Sequence, residues 1–97
     1  MITQTVRELK MKNAGYTIVD VRSQMEFQGG HVAGSINIPL QEVPNRVQEF
    51  ADMPQPLLLC CASGGRSGQA AAFLQQRGIE CENGGGWMDV NYRLQNA

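Results

Sequence analysis

Cys61-Ala62-Ser63-Gly64-Gly65-Arg66-Ser67 places a cysteine, three small residues and a second glycine ahead of an arginine and a serine. The preceding Leu57-Leu58-Leu59-Cys60 reads as a buried strand. From Ser67 to Arg77, residues Ala71, Phe73, Leu74 and Arg77 recur at helical spacing. A strand–loop–helix turn of this kind aims successive backbone N–H groups and the positive end of a helix at one point. A thiol held there favours its charged form near neutral pH. The chemistry this implies is nucleophilic. Cys61 attacks, and Ala62, Ser63, Gly64, Gly65, Arg66 and Ser67 form a cradle for an anionic substrate.

Cys60 offers a second register. Counted from Cys61, the loop through Arg66 is six residues long. Counted from Cys60, five residues separate cysteine from arginine and Ser67 follows, the spacing of cysteine-dependent phosphatases. The wider loop holds a phosphate with its three peripheral oxygens, whereas the tighter one suits a single transferred sulfur. Two features favour Cys61: Gly64 stands where a sharply curved loop needs a residue without Cβ, and Leu59 stands where phosphatases usually carry histidine. In an alternating strand Cys60 would point into apolar packing and behave as a small hydrophobe.

Three stretches together resemble the rhodanese-homology domain, the fold of single-sulfur transferases. Cys61 to Ala70 is similar to that family's active-site loop and the start of the next helix. Asp20-Val21-Arg22-Ser23, Glu26-Phe27 and Gly30-His31-Val32-Ala33-Gly34-Ser35-Ile36-Asn37-Ile38-Pro39 form a second match, and Asn83-Gly84-Gly85-Gly86-Trp87 a third. The chain departs from the pattern at Cys60, where an aromatic or aliphatic residue is common, and at Val90, where an aromatic is. Its loop holds a single basic residue, Arg66. The resemblance implies one rhodanese-homology domain over residues 1–97, a three-layer α/β/α fold with a five-stranded, mainly parallel sheet. It further implies a thiosulfate sulfurtransferase acting through a Cys61 persulfide. Donor and acceptor would be a small anionic sulfur compound and a thiol, cyanide or carrier protein. Two other functions compete: a phosphatase or arsenate reductase using Cys60, and a catalytically idle binding module of the same fold, which would need neither Cys61 nor Arg66.

The remaining candidates carry roles at the edge of the site. Asp20 and Arg22, after a strand, are expected as an ion pair holding two loops together. Arg66 has two uses: orienting an oxyanion through a forked contact, or pairing with Asp20 or Glu26 to brace the loop. Ser67 caps the helix or donates to the loop, and Ser63 is placed to hydrogen-bond a persulfide. His31 reads as a scaffold residue, since a preformed thiolate needs no general base. Trp87 is a wall or rim aromatic.

Composition narrows the partners. The 97 residues carry a net charge of −1 with acids and bases interspersed, which leaves no electrostatic footprint for nucleic acid. No apolar run approaches the ~20 residues of a membrane helix. Cys60, Cys61 and Cys81 are odd in number and two are adjacent, so they suggest neither a disulfide framework nor, with one histidine, a zinc site. Neither cofactor nor metal is expected. Met1-Ile2-Thr3-Gln4 has the pattern of neither signal nor transit peptide. With an exposed thiolate suited to a reducing compartment, this points to a cytoplasmic monomer or weak dimer.

The elements that must position these residues alternate between strand and helix, as in an α/β sheet covered on both faces. Helices are expected over Thr5–Lys12, Ser23–Gln28 (with Ser23 and Glu26 as a capping box), Gln41–Phe50, Ser67–Arg77 and Trp87–Leu94. Strands are expected over Tyr16–Val21, Ser35–Ile38, from Leu57, and over Ile79–Glu82. Ligands of such sheets bind beyond the carboxyl ends of the strands, where the Cys61 loop would lie.

Overall fold

Two runs of apolar residues supply the centre of the sheet. Thr17–Asp20 forms β1 and Leu57–Cys61 forms β3, paired in parallel with Ile18 opposite Leu58 and Asp20 opposite Cys60. Ile36–Asn37 (β2) flanks β1, and Cys81–Gly86 (β4) flanks β3, giving the order β2-β1-β3-β4 with every pair parallel. The computed structural model describes residues 15–96. Among the described residues the sheet has four strands, one fewer than the resemblance implies. The Thr5–Lys12 helix lies outside the described residues.

Parallel pairing requires a crossover after each strand, and the crossovers here are helices. These are α1 (Gln24–Gln28), α2 (Val47–Asp52) and α3 (Gly65–Gln75), while α4 (Trp87–Gln95) follows the last strand. One sheet face packs Val19, Leu57, Leu59 and Cys61 against Ala70, Ala71 and Leu74 of α3 and Phe50 of α2. The other packs Ile18 and Cys60 against Val32 and Val90, the latter on α4. Helices therefore cover both faces, the three-layer arrangement expected. Phe50, Leu57, Leu59 and Leu74 are fully buried, each stabilising the fold by about 2 kcal/mol.

Two elements differ most from their expected bounds. The Gln41–Phe50 helix is instead a 3-10 helix, Leu40–Asn45, followed by α2. Pro44 lies inside it and has no N–H to donate, so an α-helix cannot run through. The last strand starts at Cys81 rather than Ile79 and continues through the glycines to Gly86. Its register slips between Leu59 and Cys60, with Asn83 opposite Leu59 and Gly85 opposite Cys60. Gly84 is the extra residue of this bulge, and the slip carries β4 alongside the loop that follows Cys61.

Candidate active site

Cys61 ends β3, and α3 begins four residues later, so the chain must reverse within Ala62-Ser63-Gly64. Gly64 makes the reversal in the left-handed region, at φ 105°. The turn brings the loop back over its own cysteine. The Gly64 N–H donates to Cys61 Sγ at 3.0 Å and the Ser67 N–H at 3.4 Å, while Ser67 Oγ stands 3.3 Å away. The glycines of β4 leave room for the loop: a Cβ on Gly86 would stand 2.8 Å from the Ala62 carbonyl oxygen.

Burial pushes the Cys61 thiol up, but donation from the Ser67 hydroxyl and from the N–H groups of Ser67, Gly64 and Ser63 outweighs it, bringing the pKa down to about 7. Cys60 moves the other way. Burial, and then the charge of Asp20, push its thiol up to about 12. The sequence suggested an exposed thiolate at position 61. The residue is in fact 1% exposed, because the loop folds over it and its Cβ belongs to the core face of β3. Ala62, Ser63 and Gly65 are exposed on the rim.

The Arg66 side chain pairs with Glu26 on α1. Its Nη1 and Nη2 donate to Oε1 and Oε2 at 2.7 and 3.1 Å. The same carboxylate closes the capping box of α1: Glu26 Oε1 accepts from the Ser23 N–H at 3.0 Å, and Ser23 Oγ accepts from the Glu26 N–H at 3.2 Å. The Arg66 guanidinium, with help from the Ser23 N–H, lowers the Glu26 pKa to about 2. One side chain thus fixes both a helix start and the loop. Of the two acids within the range of expectation, Arg66 takes Glu26, because Asp20 is already committed.

Asp20 is fully buried and grips Arg22, whose Nε and Nη2 donate to it at 3.0 and 2.8 Å. The remaining Nη2 proton reaches the Gly30 carbonyl at 2.6 Å, and the guanidinium lies 4.8 Å from the centre of the Trp87 ring. The pair ties the end of β1 to the segment after α1 and to the start of α4. His31 Nδ1 donates to the Phe27 carbonyl at 2.7 Å and its ring stacks on Phe27, outside the sulfur's surroundings.

Asn83 of β4 joins the loop without having been singled out in the sequence. Its Nδ2 donates to the Gly64 carbonyl at 3.0 Å, and its Oδ1 accepts from the Gly85 N–H at 2.9 Å and from the Ser67 hydroxyl at 2.6 Å. The available signal was an amide inside a last strand otherwise ending in glycines. Ser67 does not cap α3, where Gly64 is the N-cap without a side-chain bond.

The loop is a cup around one sulfur atom rather than a cavity. A pocket of about 390 Å³ lies elsewhere, lined by Ser23, Gln24, Asn37, Pro39, Gln41, Glu42 and Arg46. Among the described residues, no group of three or more His, Cys, Asp or Glu is placed to hold a metal ion, and no helix is long and apolar enough to cross a membrane.

The family model for the rhodanese-like domain matches residues 3–91. The chain belongs to the rhodanese-like family. Among curated relatives, an uncharacterized protein of Bacillus subtilis, YqhL, is 39% identical over 79% of this chain. The thiosulfate sulfurtransferase GlpE of Stutzerimonas stutzeri is 38% identical over 71% of it. The match spans 62% of the length of each of these two proteins. The thiosulfate sulfurtransferase PspE of Escherichia coli is 39% identical over 74% of this chain and 71% of its own. Among solved structures, a rhodanese-related protein of Thermoplasma volcanium superposes with TM-score 0.71 at 30% identity, over 89% of this chain and 81% of that one. An E. coli rhodanese solved with anions gives 0.68 at 38% identity, over 76% and 89%. This rhodanese-like chain therefore shares fold and family with sulfurtransferases.

Proposed function

We propose that this rhodanese-like chain is a thiosulfate sulfurtransferase-type enzyme with Cys61 as its nucleophile. It moves sulfane sulfur from thiosulfate or a persulfide donor to a thiol, cyanide or a carrier protein. The observation that carries the reading is the Cys61 sulfur itself, cupped by the N–H groups of Gly64 and Ser67 at 3.0 and 3.4 Å. In the first step the thiolate attacks the outer sulfur of thiosulfate, an S–S bond forms, the donor's S–S bond breaks, and sulfite leaves with its electron pair. The charge count balances: a singly charged thiolate and a dianionic thiosulfate give a singly charged persulfide and dianionic sulfite. The second nucleophile removes that sulfur and restores the thiolate. Loop donors fixed in advance stabilise the anion at both stages without reorganising. Ala62, Ser63, Gly64, Gly65, Arg66 and Ser67 form the substrate cradle, and Asp20 and Arg22 support it. We assign the chain a reducing, cytoplasmic setting, where such a thiol stays reduced.

Support comes also from the relatives named thiosulfate sulfurtransferase. The Cys60 register is disfavoured because that thiol is buried on the other face of the sheet. The test is intact-protein mass after mixing with thiosulfate. A gain of one sulfur, lost on adding cyanide and absent in Cys61→Ser, is the expected result. No gain, or a gain that survives Cys61→Ser, overturns the assignment.

A further inference from the structure

The Ser67 hydroxyl has two neighbours and one proton. Asn83 Oδ1 lies 2.6 Å from Ser67 Oγ, and Cys61 Sγ lies 3.3 Å from it. The orientation of the Asn83 amide is set by its other bonds, since Nδ2 must face the Gly64 carbonyl and Oδ1 the Gly85 N–H. An amide oxygen has no proton to give, so the short contact is necessarily a donation from serine to asparagine. With its proton so committed while the sulfur is a neutral thiol, Ser67 turns a lone pair towards the sulfur. That arrangement accepts from a thiol S–H. A thiolate needs the opposite, a hydroxyl proton pointing at sulfur.

We propose that Asn83 is a positioning residue that acts through Ser67, competing with the Cys61 sulfur for a single hydroxyl proton. When charge resides on Sγ, the hydroxyl swings to it and gives up the Asn83 bond. When sulfur transfer moves the charge to the outer sulfur, the hydroxyl returns to Asn83. The return favours departure of charge from Sγ and so keeps the thiolate from being held too firmly to react. No atom is transferred in this exchange; one O–H rotates. Asn83 stands opposite Leu59, the last in-register pair before the slip in β4, and lies beneath Gly64 and Gly68.

The consequence has an unexpected sign. Asn83 is exposed, so in Asn83→Ala water takes the vacated place, and water can turn and donate to Ser67 where an amide oxygen cannot. Serine then serves the thiolate alone. The Cys61 midpoint should fall, by about half a unit to one unit, the equivalent of one modest hydrogen bond. Loss of a merely structural brace would loosen the loop and raise it.

The experiment measures the pH dependence of iodoacetamide alkylation in a background carrying Cys60→Ala and Cys81→Ala. Four proteins are compared: parent, Asn83→Ala, Ser67→Ala and the double variant, each checked for folding by circular dichroism. Asn83→Leu, of similar volume, replaces Asn83→Ala if the latter does not fold. The expected pattern is a lowered midpoint in the position-83 variant, a raised one in Ser67→Ala, and a double variant equal to Ser67→Ala. A midpoint unchanged or raised by the position-83 change overturns the proposal. So does an equal shift in the Ser67→Ala background. The proposal rests on the assignment of Cys61 as nucleophile, but titration needs no sulfur donor. Failure of one is therefore seen separately from failure of the other.

Discussion

Cys60 and Cys61 are adjacent in the chain and lie on opposite faces of β3. Cys60 packs with Ile18, Val32 and Val90, and Cys61 faces the α3 side beneath its loop. Strand alternation decides which of the two thiols meets the loop donors. Cys61→Ser should abolish sulfur transfer. Cys60→Ala should retain most of it and cost about 1 kcal/mol of stability for the small cavity left. The check is cyanide-dependent turnover of both variants beside a urea melt. An inactive but folded Cys60→Ala with an active Cys61→Ser would reverse the assignment.

The Cys61 thiol should titrate near 7, because loop donors outweigh burial. Its ionised form is the attacking one, so kcat/KM for sulfur uptake should rise with pH through that value and then level off. Folding is linked to the same group: with its pKa depressed in the folded state, the stabilisation is present above the unfolded thiol's value and declines as pH falls towards 7. A rate profile still climbing at pH 9 would place the loop donors too far from the sulfur to matter.

Asp20→Ala should be among the most damaging single changes. It strands the Arg22 guanidinium, whose residue is 5% exposed, with the Gly30 carbonyl and the Trp87 ring but no counter-charge in contact among the described residues. Removing one member of a buried pair costs about 3–5 kcal/mol, a large part of what a domain of this size has. The double change Asp20→Leu with Arg22→Met should recover much of the loss, since no charge is then left buried. Urea denaturation of both variants decides it. A double variant no more stable than Asp20→Ala would mean that the pair's geometry, rather than its charge balance, holds the two segments.

How far the site could be read in advance follows from how local each part is. The Cys61 loop occupies consecutive residues between an apolar run and a helical pattern, so its strand–loop–helix form was legible from type and spacing. The Ser23–Glu26 capping box is equally local. Arg66 was different: Asp20 and Glu26 both qualified, and only the fold shows Asp20 consumed by Arg22. Asn83 lies 16 residues beyond Ser67 in a stretch whose glycines argue against a strand. It is the last residue of β4 paired before the slip, opposite Leu59, and its meeting with Gly64 and Ser67 depends on strand pairing that nothing local encodes. Pro44 is a local signal too, since a proline in the middle of Gln41–Phe50 forbids a continuous helix there.

Arg66 and Glu26 test whether the loop's cation selects its donor or braces the loop. The guanidinium is held through two hydrogen bonds by Glu26, so the pair presents almost no net charge to an incoming dianion. Arg66→Ala does more than delete a cation: it exposes the Glu26 carboxylate at the mouth of the site. That carboxyl stays ionised at any working pH, with a pKa of about 2 in the intact pair and about 4.3 once freed. Thiosulfate, with two negative charges, should then be repelled more than a persulfide donor whose attacked sulfur carries less charge. The pair is about one third exposed, and solvent screening limits the effect to roughly 5- to 10-fold in kcat/KM. Adding Glu26→Gln to Arg66→Ala removes the exposed charge and should return that electrostatic portion, leaving whatever loss comes from a loosened loop and a weakened capping box. Salt separates the two further, because 0.5 M sodium chloride screens an exposed charge and should narrow the gap between single and double variants. The measurement is kcat/KM for thiosulfate and for glutathione persulfide in the parent, single and double variants. If the double variant is as poor as Arg66→Ala with both donors, at both salt concentrations, the pair acts by bracing the loop alone and donor selection must be credited to the backbone N–H groups around Cys61.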